Sequence, residues 1–446
     1  MNPLPAKYLL FVPARSVTGQ NVGKYSNRIK EFSALSPSQM RKAQWQKLKA
    51  ALLFSRTHIP YYQKLFASNH VDIDSVKYPE DLCAIPPLTR HDIQKNLQLF
   101  QNSGIKKVYK RSTSGSEGNP LIFYKDGDTL ACMDATMYHA YNWHGIHIGD
   151  PQARFWGMPF EKASRRNALI KDYLMNRKRF SAFDSGAEAC ERFYRKLKRF
   201  RPTYFYGYPS LIHEFSEFIR NNRKDVSFLS LKGIIGTGEM SVPGHKEDIE
   251  RTFGTRYISE YGCTETGVIG FECKKGKMHL MAHNIFLEVL KNGCPVYDEE
   301  GEFCITELNS RTYNFIRYKI GDSGVLESGT CTCGSGLPVI RISKGRSGSY
   351  LLTPEGGKVH SSVLSYTLCN GIKSFQAVQT SLNDLTVYVR ADADFTEKQR
   401  RLYVKRLKER LSPEIEIRIE AVEHLKRDRS GKLRYFVPIP EKGGAQ

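Results

Sequence analysis

Segments typical of buried strands alternate with segments typical of helices through the middle of this chain. Residues 128–146 have a helical pattern, and Pro202-Thr-Tyr-Phe-Tyr-Gly-Tyr-Pro209 is typical of a strand ending in a turn, with a helix after it. Leu231-Lys-Gly-Ile-Ile-Gly-Thr-Gly-Glu239 has the pattern of another buried strand running into a glycine turn. Nearer the start, Thr89 is a predicted helix N-cap. This alternation predicts an α/β fold with binding sites at the strand ends.

The pattern changes after Leu287, where short alternating strands separated by turn residues predict a small β-barrel or sheet. The region after residue 344 combines alternating strands with a charged amphipathic helix, and its length of ~100 residues is enough to fold alone. We expect a large N-terminal domain, residues 1–344, and a smaller α+β C-terminal domain, residues 345–446. The strands predicted in these two regions are Leu287–Leu290, Gly301–Thr306, Tyr313–Tyr318, Leu385–Arg390 and Ile415–Glu420.

The composition favours a globular protein with a strongly basic surface. The 446 residues suffice for two or three domains, and the 40% hydrophobic and 11% aromatic content is typical of folded proteins. No apolar run approaches the ~18 residues of a membrane span. The stretch Tyr8-Leu-Leu-Phe-Val12 is too short for a signal-peptide core, so we expect a soluble cytoplasmic protein.

The formal net charge of +21 favours polyanionic ligands: nucleotides, CoA, nucleic acid or an anionic membrane surface. No RNP stretch, basic zipper or two-Cys two-His finger accompanies the charge, so we expect no dedicated nucleic-acid partner. A solvated basic surface without a specific ligand is the simpler alternative for any single cluster.

A run of small hydroxyl residues and glycines, Ser112-Thr-Ser-Gly-Ser-Glu-Gly118, precedes a strand-like segment. Backbone N–H groups in such a turn can converge on one point, which makes a seat for phosphate oxygens. The run lacks the Gly-Lys-Ser/Thr ending of a Walker A site, which disfavours a P-loop NTPase. Taken alone, the run is a weak signal, because a Ser/Gly-rich stretch is also typical of a surface linker.

Five further short motifs follow this loop, and their order and spacing are more informative than any one of them. They are Gly236–Glu239, Glu260–Gly267, Arg317–Asp322, Lys344–Arg346 and Arg429–Arg434. With these motifs the chain resembles the adenylate-forming (acyl-AMP) ligase superfamily. The loop resembles its Thr-Ser-Gly-Ser-Thr-Gly-x-Pro motif, Tyr261–Glu265 its Tyr-Gly-x-Thr-Glu motif and Tyr318–Asp322 its Tyr-Arg-x-Gly-Asp motif. Gly345-Arg346 resembles the hinge motif, and Ser430–Arg434 resembles the motif that carries the C-terminal lysine.

Within that superfamily the chain is most similar to the phenylacetate–CoA ligase family, in particular its capsular-polysaccharide-biosynthesis branch. The segments that indicate this branch are Tyr206–Ser210, Phe315–Asp322 and Tyr350–His360. The resemblance covers roughly residue 40 to the C-terminus.

The resemblance implies a role for each motif in ATP chemistry. Lys432 would be the catalytic cation, bridging the attacking carboxylate and the α-phosphate as charge builds. Glu265 would hold Mg²⁺, a hard cation that prefers carboxylate and phosphate oxygens. Asp322 would accept the ribose hydroxyls, with Arg346 fixing the ribose and Tyr261 packing on adenine. The remaining predicted ATP-binding residues are Ser112, Thr113, Ser114, Gly115, Ser116 and Gly118 around the phosphates, and Gly238, Glu239 and Thr264. The turn Gly236–Glu239 would line the base and acyl pocket with its backbone.

Two positions depart from the superfamily pattern. Glu117 replaces the usual threonine of the phosphate loop, where a carboxylate repels phosphate unless it points away or binds the metal. At the hinge the usual Asp-Asp is Arg346-Ser-Gly348, in which Gly348 can still absorb the dihedral change of a domain rotation.

Three of the ten cysteines and one histidine form two candidate ligand pairs, Cys273-x₅-His279 and Cys331-Thr-Cys333. Three thiolates and one imidazole suit tetrahedral structural Zn²⁺. Some phenylacetate–CoA ligase relatives are similar in carrying these four residues at matching places. The alternative is a set of reduced, partly buried cysteines with His279 as an ordinary polar residue.

These observations lead to one main functional hypothesis. The protein is expected to be an ATP- and Mg²⁺-dependent ligase that activates a small carboxylic acid as an acyl adenylate and transfers the acyl group to CoA or to an amine such as an amino sugar. The branch resemblance implies surface-polysaccharide biosynthesis, with contact to an anionic membrane or a polysaccharide-synthesis complex. The alternative is a non-catalytic nucleotide-binding scaffold of such a complex.

Overall fold

The computed structural model describes residues 2–113, 121–157, 162–182, 184, 187–241, 244–344, 350–368, 371–393, 395–428 and 433–439. Several residues singled out in the sequence lie outside these ranges: Ser114, Gly115, Ser116, Glu117, Gly118, Arg346, Gly348 and Lys432.

The chain forms two compact units, each built from separate stretches of sequence. One unit boundary falls between Gly345 and Arg346. The division into an N-terminal domain of residues 1–344 and a C-terminal domain of residues 345–446 stays a prediction. The first unit comprises Met1–Gln152, Ile170–Arg177 and Ile258–Gly345, and the second comprises Ala153–Leu169, Lys178–Tyr257 and Arg346–Gln446.

The helices begin where the sequence places caps. Thr89 accepts a hydrogen bond from the Asp92 backbone while the Asp92 carboxylate accepts from the Thr89 backbone, so the predicted N-cap is part of a capping box. The helices are Pro3–Pro5, Ala6–Phe11 (a π-helix), Val12–Val17, Val22–Ser33, Pro37–His58, Pro60–Ser68, Pro79–Ala84 (3₁₀), Arg90–Lys95, Leu97–Phe100 (3₁₀), Gly127–Asn142, Lys162–Leu174, Ala187–Phe200, Pro209–Asn221, His245–Phe253, Ser362–Thr367 and Glu397–Arg410.

The strands alternate with these helices in the middle of the chain and follow one another without helices further on, as the sequence predicts. They are β1 (Val108–Ser112), β2 (Ile122–Asp126), β3 (Gln152–Trp156), β4 (Arg177–Ser181), β5 (Tyr204–Gly207), β6 (Gly233–Gly236), β7 (Tyr257–Cys263), β8 (Gly267–Glu272), β9 (Met278–Leu280), β10 (Ile285–Lys291), β11 (Cys294–Pro295), β12 (Gly301–Glu307), β13 (Tyr318–Glu327), β14 (Val339–Lys344), β15 (Tyr350–Leu352), β16 (Lys358–His360), β17 (Ile372–Ser381), β18 (Asp384–Ala391), β19 (Glu416–Ala421) and β20 (Phe436–Val437).

The first unit is organised around antiparallel strands in the order β11-β10-β12-β13-β14-β9-β8-β7, with β1 and β2 as a separate hairpin. The apolar face of the long helix Pro37–His58 packs into the core of this unit through Met40, Leu48 and Leu52. Burying these side chains against the strands stabilises the first unit, because removing apolar surface from water contributes about 25 cal/mol per Å² to the free energy of folding.

The second unit contains two sheets, each with its own core. One has the order β6-β5-β3-β4, in which β5 and β6 are parallel. The other has the order β19-β18-β17-β20 and packs against the helix Glu397–Arg410 through Tyr403 and Leu407. Among the described residues, no helix is long and apolar enough to cross a membrane.

The predicted strand Tyr313–Tyr318 is wrong over most of its length, because β13 begins only at Tyr318. Tyr313 and Arg317 have φ of +48° and +47°, which interrupts an extended chain. Backbone N–H groups here donate to side chains, as the Ile316 N–H does to the Tyr62 hydroxyl at 3.0 Å, while the Phe315 carbonyl accepts from the Glu307 N–H of β12 at 2.9 Å. The aromatic and apolar residues of this segment therefore reflect burial and not a regular strand.

Two ion pairs closed off from solvent tie this segment to the rest of the first unit. The Lys125 ammonium contacts both oxygens of Glu307 at 2.7 and 2.5 Å, with neither side chain more than 3% exposed. Arg317 and Glu288 form the second pair at 3.0 Å, with side chains 1% and 2% exposed. Burial raises the pKa of Glu307, opposed by the Lys125 charge. Each charge is tolerated in the interior because its partner is present.

We expect Glu307→Gln to lower the free energy of unfolding by about 3–5 kcal/mol, because it leaves the Lys125 charge buried without a counter-charge. Chemical denaturation followed by circular dichroism measures the change. Glu299→Gln is the matched control, since Glu299 pairs with Lys291 at 2.7 Å with more than half of both side chains exposed. That control should leave the free energy of unfolding nearly unchanged, because both side chains are exposed to solvent. Equal losses in the two variants would contradict the structural importance of the buried pair.

Candidate active site

The predicted phosphate loop is carried by the hairpin of β1 and β2. The two strands pair in antiparallel register as far as Ser112 and Ile122. Beyond them Thr113 and Leu121 continue the closure: the Thr113 N–H donates to the Leu121 carbonyl at 3.0 Å, and the Leu121 N–H donates to the Thr113 hydroxyl at 2.9 Å. Ser112 is exposed and Thr113 is buried. The described residues thus form the closed base of the loop, and the loop residues Ser114–Gly118 lie beyond it.

Arg90 contacts the base of this loop, which the sequence did not indicate. Its guanidinium donates to the Thr113 hydroxyl at 3.0 Å. The segment that carries it is pinned to the start of β13, since Leu88 N–H donates to the Arg317 carbonyl at 2.8 Å and Lys319 N–H donates back to Leu88 at 2.9 Å. The backbone therefore delivers a guanidinium, well suited to bind phosphate oxygens, to the loop.

Glu265, the predicted Mg²⁺ ligand, lies in the turn between β7 and β8 and is 5% exposed. The Tyr318 hydroxyl donates to its Oε1 at 3.2 Å. Burial and the nearby Glu265 charge raise the pKa of Tyr318, and the Arg90 charge opposes this rise. Arg90, Tyr318 and Glu265 therefore interact electrostatically at one place in the first unit. Thr264 precedes Glu265 in the same turn and is partly buried.

Tyr261 and Asp322, predicted to hold adenine and ribose, are in direct contact. The Tyr261 hydroxyl donates to Asp322 Oδ2 at 2.7 Å. They belong to β7 and β13, which are separated in the sheet by β14, β9 and β8. A contact across three intervening strands requires a strongly curved sheet, in agreement with the predicted barrel-like region.

A β-bulge aims Asp322 out of its strand. Lys319 pairs with Cys304 and Ser323 pairs with Glu302, so three residues of β13 lie opposite Phe303 alone. Gly321, at the centre of the bulge, has φ of +82°, a conformation that other residues rarely adopt. The motif needs glycine before the aspartate for this reason.

The turn Gly236–Glu239 lies in the second unit, at the end of the parallel strand β6. A Cβ on Gly236 would lie 1.7 Å from the Tyr257 hydroxyl, so only glycine fits there. Gly238 has φ of +81° and is exposed. The close packing of Gly236 and the left-handed turn at Gly238 place Glu239 at the carboxyl end of the strand, where α/β folds bind ligands.

Glu239 binds two backbone N–H groups within the second unit. It accepts from Ser210 at 3.2 Å, in the first turn of the helix Pro209–Asn221, and from Leu433 at 2.6 Å. Burial raises its pKa, and the charge of Arg427 opposes this. Arg427 in turn donates to the Ser210 hydroxyl at 3.0 Å. Lys432 lies outside the described residues, but the residue after it is anchored at the predicted acyl-site turn.

The predicted zinc ligands Cys273, His279, Cys331 and Cys333 come together in the first unit, with their ligand atoms all within 4.8 Å of one another. Cys273 Sγ and Cys331 Sγ are 3.8 Å apart, and Cys333 Sγ lies 3.2 Å from His279 Nε2. The other ring nitrogen, Nδ1, is 3.0 Å from the Leu337 carbonyl. Backbone N–H groups of Lys275 and Cys333 point at the thiols at 3.4 Å.

This geometry fits a tetrahedral metal. Four ligands at about 2.3 Å from a central Zn²⁺ place their sulfur atoms about 3.8 Å apart. The carbonyl on Nδ1 selects the tautomer that leaves Nε2 free to coordinate. The described cysteines are all free thiols.

The structure thus brings the predicted site residues together in two sets. One set lies in the first unit near β13 and consists of Thr113, Tyr261, Thr264, Glu265 and Asp322. The other set is a single turn of the second unit that contains Gly238 and Glu239. The sequence had not indicated Arg90 or a role for Tyr318. Arg90 follows the helix N-cap Thr89, and Tyr318 belongs to a recognised motif. The sequence alone does not show which residues they contact, so it assigns neither of them a role in the site.

Comparison with known proteins agrees with this architecture. Residues 351–438 match the family model of the CapK C-terminal domain. The chain is 24% identical over 392 residues to "Protein CapK" of Staphylococcus aureus, with 84% of each protein covered. It is 22% identical over 338 residues to a phenylacetate-coenzyme A ligase of Thermus thermophilus, covering 68% of this chain and 69% of the relative.

Among solved structures, 2-hydroxyisobutyryl-CoA ligase in its postadenylation state superimposes on the chain with a TM-score of 0.73. The match covers 92% of this chain and 91% of that one at 19% sequence identity. Together the comparisons confirm the predicted α/β fold class and the resemblance that the motifs indicated.

Proposed function

We propose that this chain, a member of the adenylate-forming ligase superfamily, uses ATP to activate a carboxylic acid as an acyl adenylate and then transfers the acyl group to a thiol or an amine. The observation that carries the proposal is the arrangement around the start of β13. Arg90 and Thr113 at the base of the phosphate loop, Tyr318 on Glu265, and the Tyr261–Asp322 contact supply recognition for phosphates, metal and ribose in one unit.

The first half-reaction needs two anions to approach each other. Arg90 would bind phosphate oxygens beside the loop and reduce their charge repulsion toward the incoming carboxylate. Glu265 would hold Mg²⁺, which neutralises phosphate charge when bound. Tyr318 keeps the Glu265 carboxylate oriented through its hydroxyl. Asp322 would accept from the ribose hydroxyls, with Tyr261 orienting it through the 2.7 Å hydrogen bond.

Lys432 would stabilise the charge that develops between the carboxylate and the α-phosphate. The anchoring of Leu433 on Glu239 supports this role, because it ties the neighbouring residue to the turn predicted to line the base and acyl pocket. Arg346, Ser114, Gly115, Ser116 and Gly118 would complete the ATP site as the motif resemblance implies.

The acceptor is proposed from the relatives. The curated relatives are a phenylacetate-coenzyme A ligase and a protein named CapK. CoA or an amine such as an amino sugar would both fit the second half-reaction, since each attacks the acyl adenylate as a nucleophile and releases AMP. The CapK-type C-terminal domain supports a role in surface-polysaccharide biosynthesis.

We expect acid-dependent exchange of radiolabelled pyrophosphate into ATP across a panel of aryl, aliphatic and amino acids. Glu265→Gln should reduce the exchange rate by about 10²-fold or more, since it weakens the binding of the Mg²⁺ that would counter phosphate charge in the transition state. The amide keeps an oxygen for the Tyr318 hydroxyl, so the fold should be retained. Glu299→Gln, on the exposed surface, is the control and should exchange like the wild type.

Binding of ATP without exchange for any acid in the panel would contradict the ligase proposal and favour the nucleotide-binding scaffold. Equilibrium dialysis with labelled ATP separates that result from a protein that does not bind ATP at all.

We expect Lys432→Ala to leave ATP binding nearly unchanged and to slow adenylate formation by about 10²-fold or more. Transfer from a preformed acyl adenylate should be largely spared if the C-terminal region rotates after the first half-reaction. Rapid-quench measurement of the two half-reactions gives the comparison. Lys426→Ala is the matched control, because Lys426 is an exposed lysine of the same segment. Equal slowing of both half-reactions would contradict the rotation, and the ligase proposal would still stand.

We further propose that Cys273, His279, Cys331 and Cys333 hold one structural Zn²⁺, as their geometry allows. The protein should contain about one equivalent of zinc by elemental analysis. Cys331→Ser should lower both the zinc content and the thermal unfolding temperature, since structural zinc contributes folding energy. Cys294→Ser, at an exposed thiol, should change neither. A zinc-free wild type whose thiols at these positions all react with a thiol reagent would contradict the site.

A further inference from the structure

The helical segment Pro3–Val17 presents an uncharged, largely apolar face to solvent. Leu4, Tyr8 and Val12 recur every four residues and are 65%, 58% and 41% exposed, with Leu9 beside them at 71% and Val17 at 81%. The other exposed residues of the segment after Asn2 are Pro5, Pro13 and Ser16. Scattered exposed apolar side chains are ordinary, but a contiguous set on one helical face indicates an interaction surface.

The opposite face of the segment is fixed to the first unit, so the apolar face cannot simply turn inward. Phe11 is 3% exposed and packs edge-on against Tyr138, with ring centroids 5.5 Å apart. Arg15 forms an ion pair with Asp134 at 2.5 Å, with both side chains about four-fifths buried. The inward face therefore uses its own apolar and charged contacts, and the outward face remains uncovered among the described residues.

The first turns of the segment pack close to a second exposed apolar group. A Cβ on Gly149 would lie 2.2 Å from the Pro3 carbonyl, so the chains touch at that glycine. The Gly149 carbonyl accepts from the Asn176 side chain at 2.7 Å, and the Asn176 N–H donates to the Tyr173 carbonyl at 3.0 Å. Tyr173 and Ile170 are themselves 65% and 49% exposed. These contacts connect the segment through the backbone to a second place where apolar side chains are exposed.

The helix that follows the segment is basic. This helix, Val22–Ser33, exposes Lys24, Arg28 and Lys30 with Glu31 as its one acid. Beside the apolar face, the partly exposed Lys7 extends its ammonium to 4.8 Å from the centre of the Tyr8 ring, which is a position from which a lysine can reach polar headgroups. The pattern is an uncharged face with a lysine beside it, followed along the chain by a basic helix.

We propose that the exposed face of Pro3–Val17 is a membrane-docking surface that lies in the interface of an anionic phospholipid bilayer. Leu4, Leu9 and Val12 would enter the boundary between headgroups and acyl chains, with the Tyr8 ring at headgroup level. Lys24, Arg28 and Lys30 would bind lipid phosphates electrostatically. A second copy of the chain fits the surface less well, because face-to-face pairing would bring the lysines beside the apolar faces of the two copies together.

The test uses the full-length protein and two kinds of vesicle, phosphatidylcholine alone and phosphatidylcholine mixed with phosphatidylglycerol, in a co-sedimentation assay. The wild type should bind the mixed vesicles preferentially. Leu4→Asp combined with Leu9→Asp should reduce binding by about tenfold or more, because charged side chains cannot enter the apolar boundary. Leu402→Asp is the matched control: Leu402 is 42% exposed on the helix Glu397–Arg410, and the variant should bind like the wild type.

Charge reversal tests the electrostatic part separately. Lys24→Glu with Arg28→Glu should remove the preference for mixed over neutral vesicles, and added salt should have the same effect on the wild type. In a Tyr8→Trp variant, lipids brominated on the acyl chain should quench the additional tryptophan fluorescence when vesicles are present.

Three results would overturn the proposal. One is a folded wild type, verified by its thermal transition, that binds neither vesicle. Another is an equal loss of binding in the Leu402→Asp control. The last is a lipid-free dimer, seen by light scattering, that Leu4→Asp with Leu9→Asp abolishes, since this would assign the face to a second copy.

Discussion

The ion pair between Arg317 and Glu288 is the contact on which the rest of the first unit depends. Arg317 is 1% exposed, has a left-handed backbone, and also donates from its guanidinium to the Ile85 carbonyl. Its own carbonyl accepts from Leu88, which sets the position of the segment leading to Arg90. The residue after it, Tyr318, begins β13 and orients Glu265. The buried Arg317 therefore fixes where β13 begins and the position of Tyr318 beside Glu265.

The cluster of Cys273, His279, Cys331 and Cys333 lies beside other strands of the same sheet. His279 belongs to β9 and pairs directly with Val339 of β14, while Cys331 and Cys333 precede that strand. A metal held by these residues would link β9 to the chain entering β14. These are two of the three strands that separate Tyr261 from Asp322, so the curvature that brings this pair together would be reinforced at a distance from it.

Much of this architecture can be predicted from the sequence, and the exceptions have identifiable physical causes. The helix start at Thr89 and the strands around Leu287, Leu385 and Ile415 follow from local capping and alternation. The segment Tyr313–Arg317 does not, because its N–H groups donate to the side chains of Tyr62 and Glu307. All five residues are buried, and a short buried stretch resembles a strand in sequence whether or not its N–H groups bond to a neighbouring strand.

The candidate site divides in the same way. Residues inside short motifs, such as Glu265 and Asp322, could be named from their order along the chain. Arg90 could not, because it meets Thr113 only through the pairing of Leu88 with β13, and no local pattern encodes that contact. Likewise, the bond from Leu433 to Glu239 joins residues 194 positions apart. The motifs predict candidate site residues, whereas tertiary hydrogen bonds decide which of these residues lie close together.

The bulge at Asp322 couples the site to the core by a parity rule. Between Lys319 and Ser323 the strand carries two residues more than β12 does. An even number of extra residues keeps the pleat in phase, so side chains before and after the bulge retain their faces. Loss of one residue would turn every later side chain of β13 to the opposite face, and loss of two would restore the faces while straightening the strand that projects Asp322. A deletion in β13 would therefore either expose part of the core or displace Asp322. We expect the length of this strand to tolerate change less well than the identity of its individual residues.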